Sequence, residues 1–369
     1  MAFGLVFAGG GARGAYQIGV WKALNEMNVD ICAVAGTSIG AINGALFVQG
    51  AFDTAYELWE KIAADGVISV SPEMEDETNL LKLRNIFKLA GEIRRNDGLD
   101  TKPLENLLYR IIDEDAIRSS GMDFALTAYS LTDKKLLFPD MENIPEGALV
   151  QYLLASSCLP VFKPRKIDGK TLIDGGMADN MPLGILMKKG IRDIITVNVK
   201  GIGFYKDFNT SGCNIINIEC KKPHIGTLDF NSEGIKKSIT EGYLDCKKTF
   251  GRLFGDEAYF NIGEYSEVYS KYSPEIVRGV QYAAHTFDIP LLREVKFEEL
   301  AKEVAAVYLI ESQLCGEKSL KSVTGRRELI CALVRVLETD GFDFAKSKLD
   351  IMPEYEAASA IIYLKKRAG

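Results

Sequence analysis

Residues Gly36-Thr37-Ser38-Ile39-Gly40 set a serine between two glycines, directly after one apolar run and directly before another. On a tight strand-to-helix turn such a serine projects its Oγ from the sheet edge, and the glycines tolerate the strained backbone and admit a substrate. The helix N-terminus that follows favours negative charge developing on the reacting group. The chemistry this implies is nucleophilic attack on an acyl group. A serine at the same place also suits a helix N-cap, so the pentapeptide by itself supports both readings.

A second turn, Gly9-Gly10-Gly11-Ala12-Arg13-Gly14, also follows an apolar run and opens a helical pattern. Gly9, Gly11 and Gly14 match the G-x-G-x-x-G of a dinucleotide-binding turn. The same backbone can instead present successive N–H groups to the oxyanion of a tetrahedral intermediate, or serve only as a glycine turn. A dinucleotide site needs an acidic residue about 20 positions on, at the end of the second strand. Asp30 has roughly that spacing but precedes the strand, whose end carries Ser38 instead.

The third element is Leu172-Ile173-Asp174-Gly175-Gly176, followed by Asn180 and Pro182. An aspartate before two glycines is a turn residue in its own right. The chain has only two histidines, His224 and His285, both at or beyond the end of the α/β half. A Ser-His-Asp triad places its base on a loop after the nucleophile, where His224 would stand. A carboxylate is the other candidate base, provided that burial raises its pKa and proximity aims it at the serine hydroxyl.

The elements that must hold these residues read as alternating strands and helices. Phe3 to Ala8 and Ile31 to Ala35 are short apolar runs. Arg13 to Met27 has helical spacing, and Ser38 to Gln49 is an apolar helix. Further strands are expected at Phe124 to Leu131, Leu136 to Phe138, Thr171 to Ile173, Ile194 to Val199 and Ile215 to Ile218. Such alternation implies a parallel sheet with helices on both faces. Beyond residue 225 the pattern turns helical, with candidates at Glu233 to Phe254, Pro274 to Thr286, Phe297 to Leu314, Gly325 to Thr339 and Glu354 to Arg367. The expected division is therefore 1–225 and 226–369. Pro72 to Asp100 is the most irregular and charged part of the first half and a candidate lid. Within it Leu83, Ile86, Phe87, Ala90 and Ile93 share a helical face edged by Lys82, Arg84, Lys88, Arg94 and Arg95. That pattern suits either a packed surface helix or peripheral membrane contact.

Composition narrows the function classes. The 369 residues are 47% hydrophobic and 26% charged, with a formal net charge of −7. Phosphate neutralisation needs an excess of Lys and Arg, so no nucleic-acid partner is expected. The first residues lack the basic region of a signal peptide, and no apolar stretch reaches the roughly 20 residues of a spanning helix. Seven scattered cysteines without CxxC spacing suit free thiols in a reducing cytoplasm rather than a metal site. The expected location is cytoplasmic, with peripheral membrane contact left open; composition sets no oligomeric state.

Taken together, the three turns resemble the patatin-like phospholipase family of bacterial type. That family has a glycine-rich turn ending in a basic residue and glycine, a G-x-S-x-G elbow and a D-G-[AG] motif. Arg13, Ser38 and Asp174 stand at the corresponding places, in the family's order. Ala155-Ser156-Ser157-Cys158-Leu159-Pro160-Val161-Phe162, with Asn180 and Pro182, also resembles its pattern. Ala8 departs from the aspartate of plant patatins, and the last 140 or so residues are not covered. The resemblance implies a three-layer α/β/α sheet with a C-terminal helical extension, and hydrolysis of lipid acyl esters without metal or organic cofactor. It further implies a Ser38–Asp174 dyad with elbow glycines Gly36 and Gly40 and dyad-turn glycines Gly175 and Gly176. The oxyanion hole falls in Gly9 to Gly14, with the amides of Gly10, Gly11 and Ala12 as donors, while Arg13 orients the turn or meets a phosphate. A nucleotide-binding domain and an inactive lipid-binding scaffold are the rival classes.

Overall fold

The computed structural model describes residues 2–65, 102–159, 162–227, 229–316, 320, 322–339 and 351–368. The candidate lid, its basic stripe, and Pro160 and Val161 lie outside the described residues. The chain divides into two compact units, Met1–Thr249 and Phe250–Gly369.

In the first unit β1 (Phe3–Phe7), α1 (Ala15–Glu26), β2 (Ile31–Gly36) and α2 (Ile39–Val48) form the opening βαβα unit. Then come α3 (Phe52–Asp65), α4 (Lys102–Ile111), α5 (Glu114–Ser119), β3 (Asp123–Leu126), β4 (Ala128–Ser130) and β5 (Lys135–Leu137). The rest of the unit is α6 (Leu149–Ser156), β6 (Arg165–Ile167), β7 (Lys170–Asp174), α7 (Leu183–Lys188), β8 (Asp193–Asn198), β9 (Asn214–Glu219) and α8 (Ser232–Thr249). Five strands make a wholly parallel sheet in the order β3-β2-β1-β8-β9.

The pleat explains the layers, because alternate side chains leave opposite faces of a strand. Val6, Ala33, Ala35, Ala125 and Ile194 pack with Leu183, Ile185 and Leu186 of α7. On the other face Gly44 of α2 lies against Val34, Phe124 and Phe7, and Phe7 meets Phe47 edge-on with ring centroids 6.2 Å apart. Central β1 is covered on both sides, and its Leu5, Val6 and Phe7 are fully buried. Apolar on every side but for the hydrogen-bonded Asn43, α2 is a core helix, as such a composition requires.

Two features depart from the sequence expectation. The run Phe124 to Leu131 is not one strand: it breaks at Thr127, leaving β3 in the parallel sheet and β4 in a second, antiparallel sheet ordered β5-β4-β7-β6. The first unit also runs past residue 225 to Thr249. Its last helix, α8, lies against α1 backbone to backbone. A Cβ on Gly19 would stand 1.9 Å from Ile239 O, and one on Gly242 would stand 2.0 Å from Tyr16 O.

In the second unit β10 (Leu253–Phe254) and β11 (Phe260–Asn261) pair as a short hairpin. Five helices follow among the described residues: α9 (Tyr265–Lys271), α10 (Pro274–Thr286), α11 (Phe297–Leu314), α12 (Arg326–Thr339) and α13 (Met352–Ala368). They enclose their own core, with Phe260, Val280, Phe297, Leu300, Leu333 and Ile361 among its buried members. The expected helix to Phe254 stops at Thr249 because Leu253 and Phe254 are taken up by the hairpin.

Candidate active site

Ser38 sits at the end of β2 with φ 56° and ψ −127°. A non-glycine residue held in that region costs on the order of 1–3 kcal/mol, so surrounding contacts must enforce it. They do so from two sides. The Ser38 N–H donates to Ser156 Oγ at the end of α6, 2.9 Å away, and Gly40 N–H donates to Thr37 O at 2.8 Å. The flanking glycines are required by crowding. A Cβ at Gly36 would lie 2.3 Å from Gly40 O, and one at Gly40 would lie 2.3 Å from Phe7 O. The Ser38 side chain makes no capping hydrogen bond to α2, so the N-cap reading of this residue fails.

Asp174 reaches the same place through the second sheet. Thr127, the residue between β3 and β4, donates its N–H to Gly36 O at 3.2 Å and shares a hydroxyl contact of 2.8 Å with Thr37. β4 starts one residue later, and its Ala128 pairs with Asp174 at the end of β7. The break at Thr127 thus brings the end of β7 to the elbow. Gly175 completes the approach, since a Cβ there would stand 2.1 Å from Thr127 Oγ1.

Asp174 is 2% exposed, and Ser38 is 9% exposed. Asp174 Oδ1 accepts the Gly176 N–H at 2.7 Å, while Oδ2 is buried without a hydrogen-bond partner. Burial pushes the Asp174 pKa up from 3.8 to about 6, against smaller lowering effects of the Gly176 N–H and the Ser38 hydroxyl. Of the groups that act on this carboxylate, Ser38 is the only one that carries a hydroxyl.

The glycine turn lies against the serine: a Cβ on Gly9 would come 3.2 Å from Ser38 Cβ and 2.4 Å from Asn180 Oδ1. Its amides are not equivalent. Gly9 N–H donates to Asn180 O at 3.0 Å, Ala12 N–H to Thr227 O at 2.7 Å and Arg13 N–H to Gly10 O at 3.2 Å. Ala12 is therefore corrected as a donor, because its amide is already committed. Gly14 is in the short 3-10 helix Gly11–Gly14 and packs against Ile39 and Asn43. Among the described residues the N–H groups of Gly10, Gly11 and Ile39 have no acceptor. Gly11 has φ 56°, and a Cβ there would fall 1.9 Å from Thr227 O, so only glycine fits.

Arg13 donates through Nε to Ile225 O at 3.1 Å and through Nη1 to Lys200 O. Of its two expected roles, the observed one is to brace the turn. Asn180 Nδ2 donates to Gly9 O at 3.0 Å and to Tyr205 Oη at 3.1 Å, joining the glycine turn to the loop after β8. Tyr205 and Thr227 carry no local motif, and only their bonds to residues far away in sequence reveal them.

The histidines have other neighbours. His224 Nε2 lies 3.4 Å from Glu241 Oε2 on α8, and burial lowers its pKa. His285 lies in the second unit, its Nδ1 4.0 Å from Glu257 Oε2. All seven cysteines are free thiols.

The sequence profile of the patatin-like phospholipase family matches residues 5–187, a span that includes all three turns. The chain belongs to this family. Over 201 residues, or 54% of its length, it is 27% identical to mouse patatin-like phospholipase domain-containing protein 7. Over 203 residues it is 29% identical to lysophospholipase NTE1 of Mycosarcoma maydis. An uncharacterised NTE family protein of Mycobacterium bovis is 28% identical over 198 residues. The aligned part is 14% of the mouse protein, 10% of the fungal one and 49% of the mycobacterial one. Among solved structures, VipD of Legionella pneumophila aligns over 98% of this chain and 90% of its own, with 15% identity and a TM-score of 0.38. The patatin fold is seen here directly in the central parallel sheet flanked by helices, and the family match removes the dinucleotide reading of the glycine turn.

Proposed function

We propose that the protein is a lipid acyl hydrolase that uses a Ser38–Asp174 dyad and an acyl-enzyme intermediate. The observation that carries this reading is the free, buried Oδ2 of Asp174 beside a serine held at positive φ. Asp174, ionised above its pKa of about 6, takes the Ser38 Oγ proton as Oγ attacks the ester carbonyl. The N–H groups of Gly10 and Gly11, with that of Ile39 at the start of α2, receive the oxyanion. Collapse breaks the ester bond, and the leaving alcohol takes the proton back from Asp174. A water then gives a proton to Asp174 and attacks the acyl-serine; the fatty acid leaves and the proton returns to Ser38.

The names of the relatives support phospholipids and lysophospholipids as the substrate class. The test is release of fatty acid from lysophospholipids, phospholipids, monoacylglycerols and short p-nitrophenyl esters by wild type and by Ser38→Ala. Turnover of at least one lipid ester, abolished in the folded variant, is the expected result. No turnover of any of them by the wild type, or an undiminished rate in Ser38→Ala, overturns the proposal.

A further inference from the structure

Three large apolar side chains stand in solvent beside the two turns of the site. Ile202 is 81% exposed, Phe204 67% and Met177 44%. Single exposed apolar residues are common on protein surfaces, whereas several grouped at a site mouth mark an interaction surface. The backbone beneath these is firmly held. Phe204 N–H donates to Gly176 O at 2.9 Å, and Phe204 O accepts the Asn180 N–H at 2.6 Å. A Cβ on Gly201 would stand 1.9 Å from Gly9 O, so the segment lies flat on the glycine turn. Met177 ends the turn that begins at Asp174.

The charge around these residues runs against that of the molecule. Residues 200–222 carry four lysines against the two acids Asp207 and Glu219, in a chain of net charge −7. Lys200, Lys206, Lys221 and Lys222 are exposed. Lys200 Nζ lies 2.9 Å from Glu219 and donates to Lys221 O at 3.3 Å, which ties the lysines at the ends of β8 and β9 together. Among the described residues no helix is long and apolar enough to cross a membrane.

We propose that this rim docks on the surface of an anionic phospholipid aggregate. Ile202, Phe204 and Met177 enter the acyl layer while Lys200, Lys206, Lys221 and Lys222 face head-group phosphates. The occupant follows from exposed apolar side chains carried on a segment with an excess of exposed lysines, which matches a lipid interface in both its layers. The inference rests on the hydrolase reading only for its purpose, which is to seat the mouth of the site against its ester.

The test is partitioning of the full chain onto vesicles of equal parts phosphatidylcholine and phosphatidylglycerol, beside pure phosphatidylcholine, with turnover of a soluble short-chain ester measured in parallel. Ile202→Ser is expected to lower partitioning about tenfold, the scale of one buried aliphatic side chain, and Ile202→Phe to preserve it. Lys221→Glu with Lys222→Glu is expected to weaken binding to the anionic vesicles alone, with the difference lost at high salt. Short-chain turnover stays unchanged in all of these. Wild-type protein that ignores the vesicles, or partitioning indifferent to Ile202→Ser, overturns the proposal. Loss of self-association in Ile202→Ser with vesicle binding intact assigns the rim to a second copy of the chain and overturns it as well. Partitioning needs no turnover, so vesicle binding that behaves as expected without any esterase activity would sink the hydrolase reading and leave the docking surface standing.

Discussion

An aspartate that is 2% exposed with one carboxyl oxygen unpartnered weakens the fold that holds it, and the same oxygen is what a general base needs. The sign follows from proton binding. With the Asp174 pKa near 6 in the folded chain and near 3.9 unfolded, the native state holds the extra proton between about pH 4 and 6. Stability from this group is therefore complete below about pH 4 and is lost as the pH rises through 6, by up to about 3 kcal/mol. Asp174→Asn should melt higher than wild type at pH 7.5, and the gap should close near pH 4. The comparison must be between variants, because burial also raises Asp179 to about 6 and Glu241 to about 7. The same substitution should lower turnover about 100-fold to 10,000-fold, the usual worth of a general base. Wild-type kcat/KM should fall on the acid side with a midpoint near 6, where Asp174 takes up its proton. An asparagine variant that keeps its rate, or gains no stability at pH 7.5, would remove Asp174 from the role of base.

Between elements, positioning depends on partners distant in sequence. The Ser38 N–H is satisfied by Ser156, at the end of α6 and 118 positions away. Ser156→Ala leaves that buried N–H without its acceptor, a loss of about 1–3 kcal/mol. Denaturant unfolding should show that loss, with slower ester turnover as the elbow relaxes; unchanged stability would mean that Ser156 does not hold it. The sequence shows the elbow and the Asp174 turn clearly because each is a short glycine-bounded motif with its own local geometry. It hides how the two meet. The apolar run Phe124 to Leu131 reads as a single strand, since side-chain alternation does not register a change of partner strand, and the change at Thr127 is what carries β7 to the elbow. Thr227 is equally silent, because its part is played by a backbone carbonyl that any residue type could supply. The βαβα opening was legible from periodicity, whereas the end of α8 was not: Leu253 and Phe254 continue an apolar pattern but pair as strand.

On the scale of the whole chain, the site's residues are gathered in the unit Met1–Thr249, while Phe250–Gly369 has a core of its own. Phe297, fully buried in that second core and in ring contact with Phe260 and Tyr272, should cost about 3–5 kcal/mol when cut to alanine. Thermal unfolding should record the loss, while short-chain ester turnover at 25 °C persists; turnover that falls as steeply as stability would tie the helical unit to the chemistry. The most direct test of the dyad is labelling of the intact chain by a fluorophosphonate, with the modified residue located by mass spectrometry. The adduct should sit on Ser38 in wild type and equally in the double variant His224→Ala, His285→Ala, and it should form far more slowly in Asp174→Asn. An adduct on another serine, or loss of labelling in the folded histidine variant, would contradict the account.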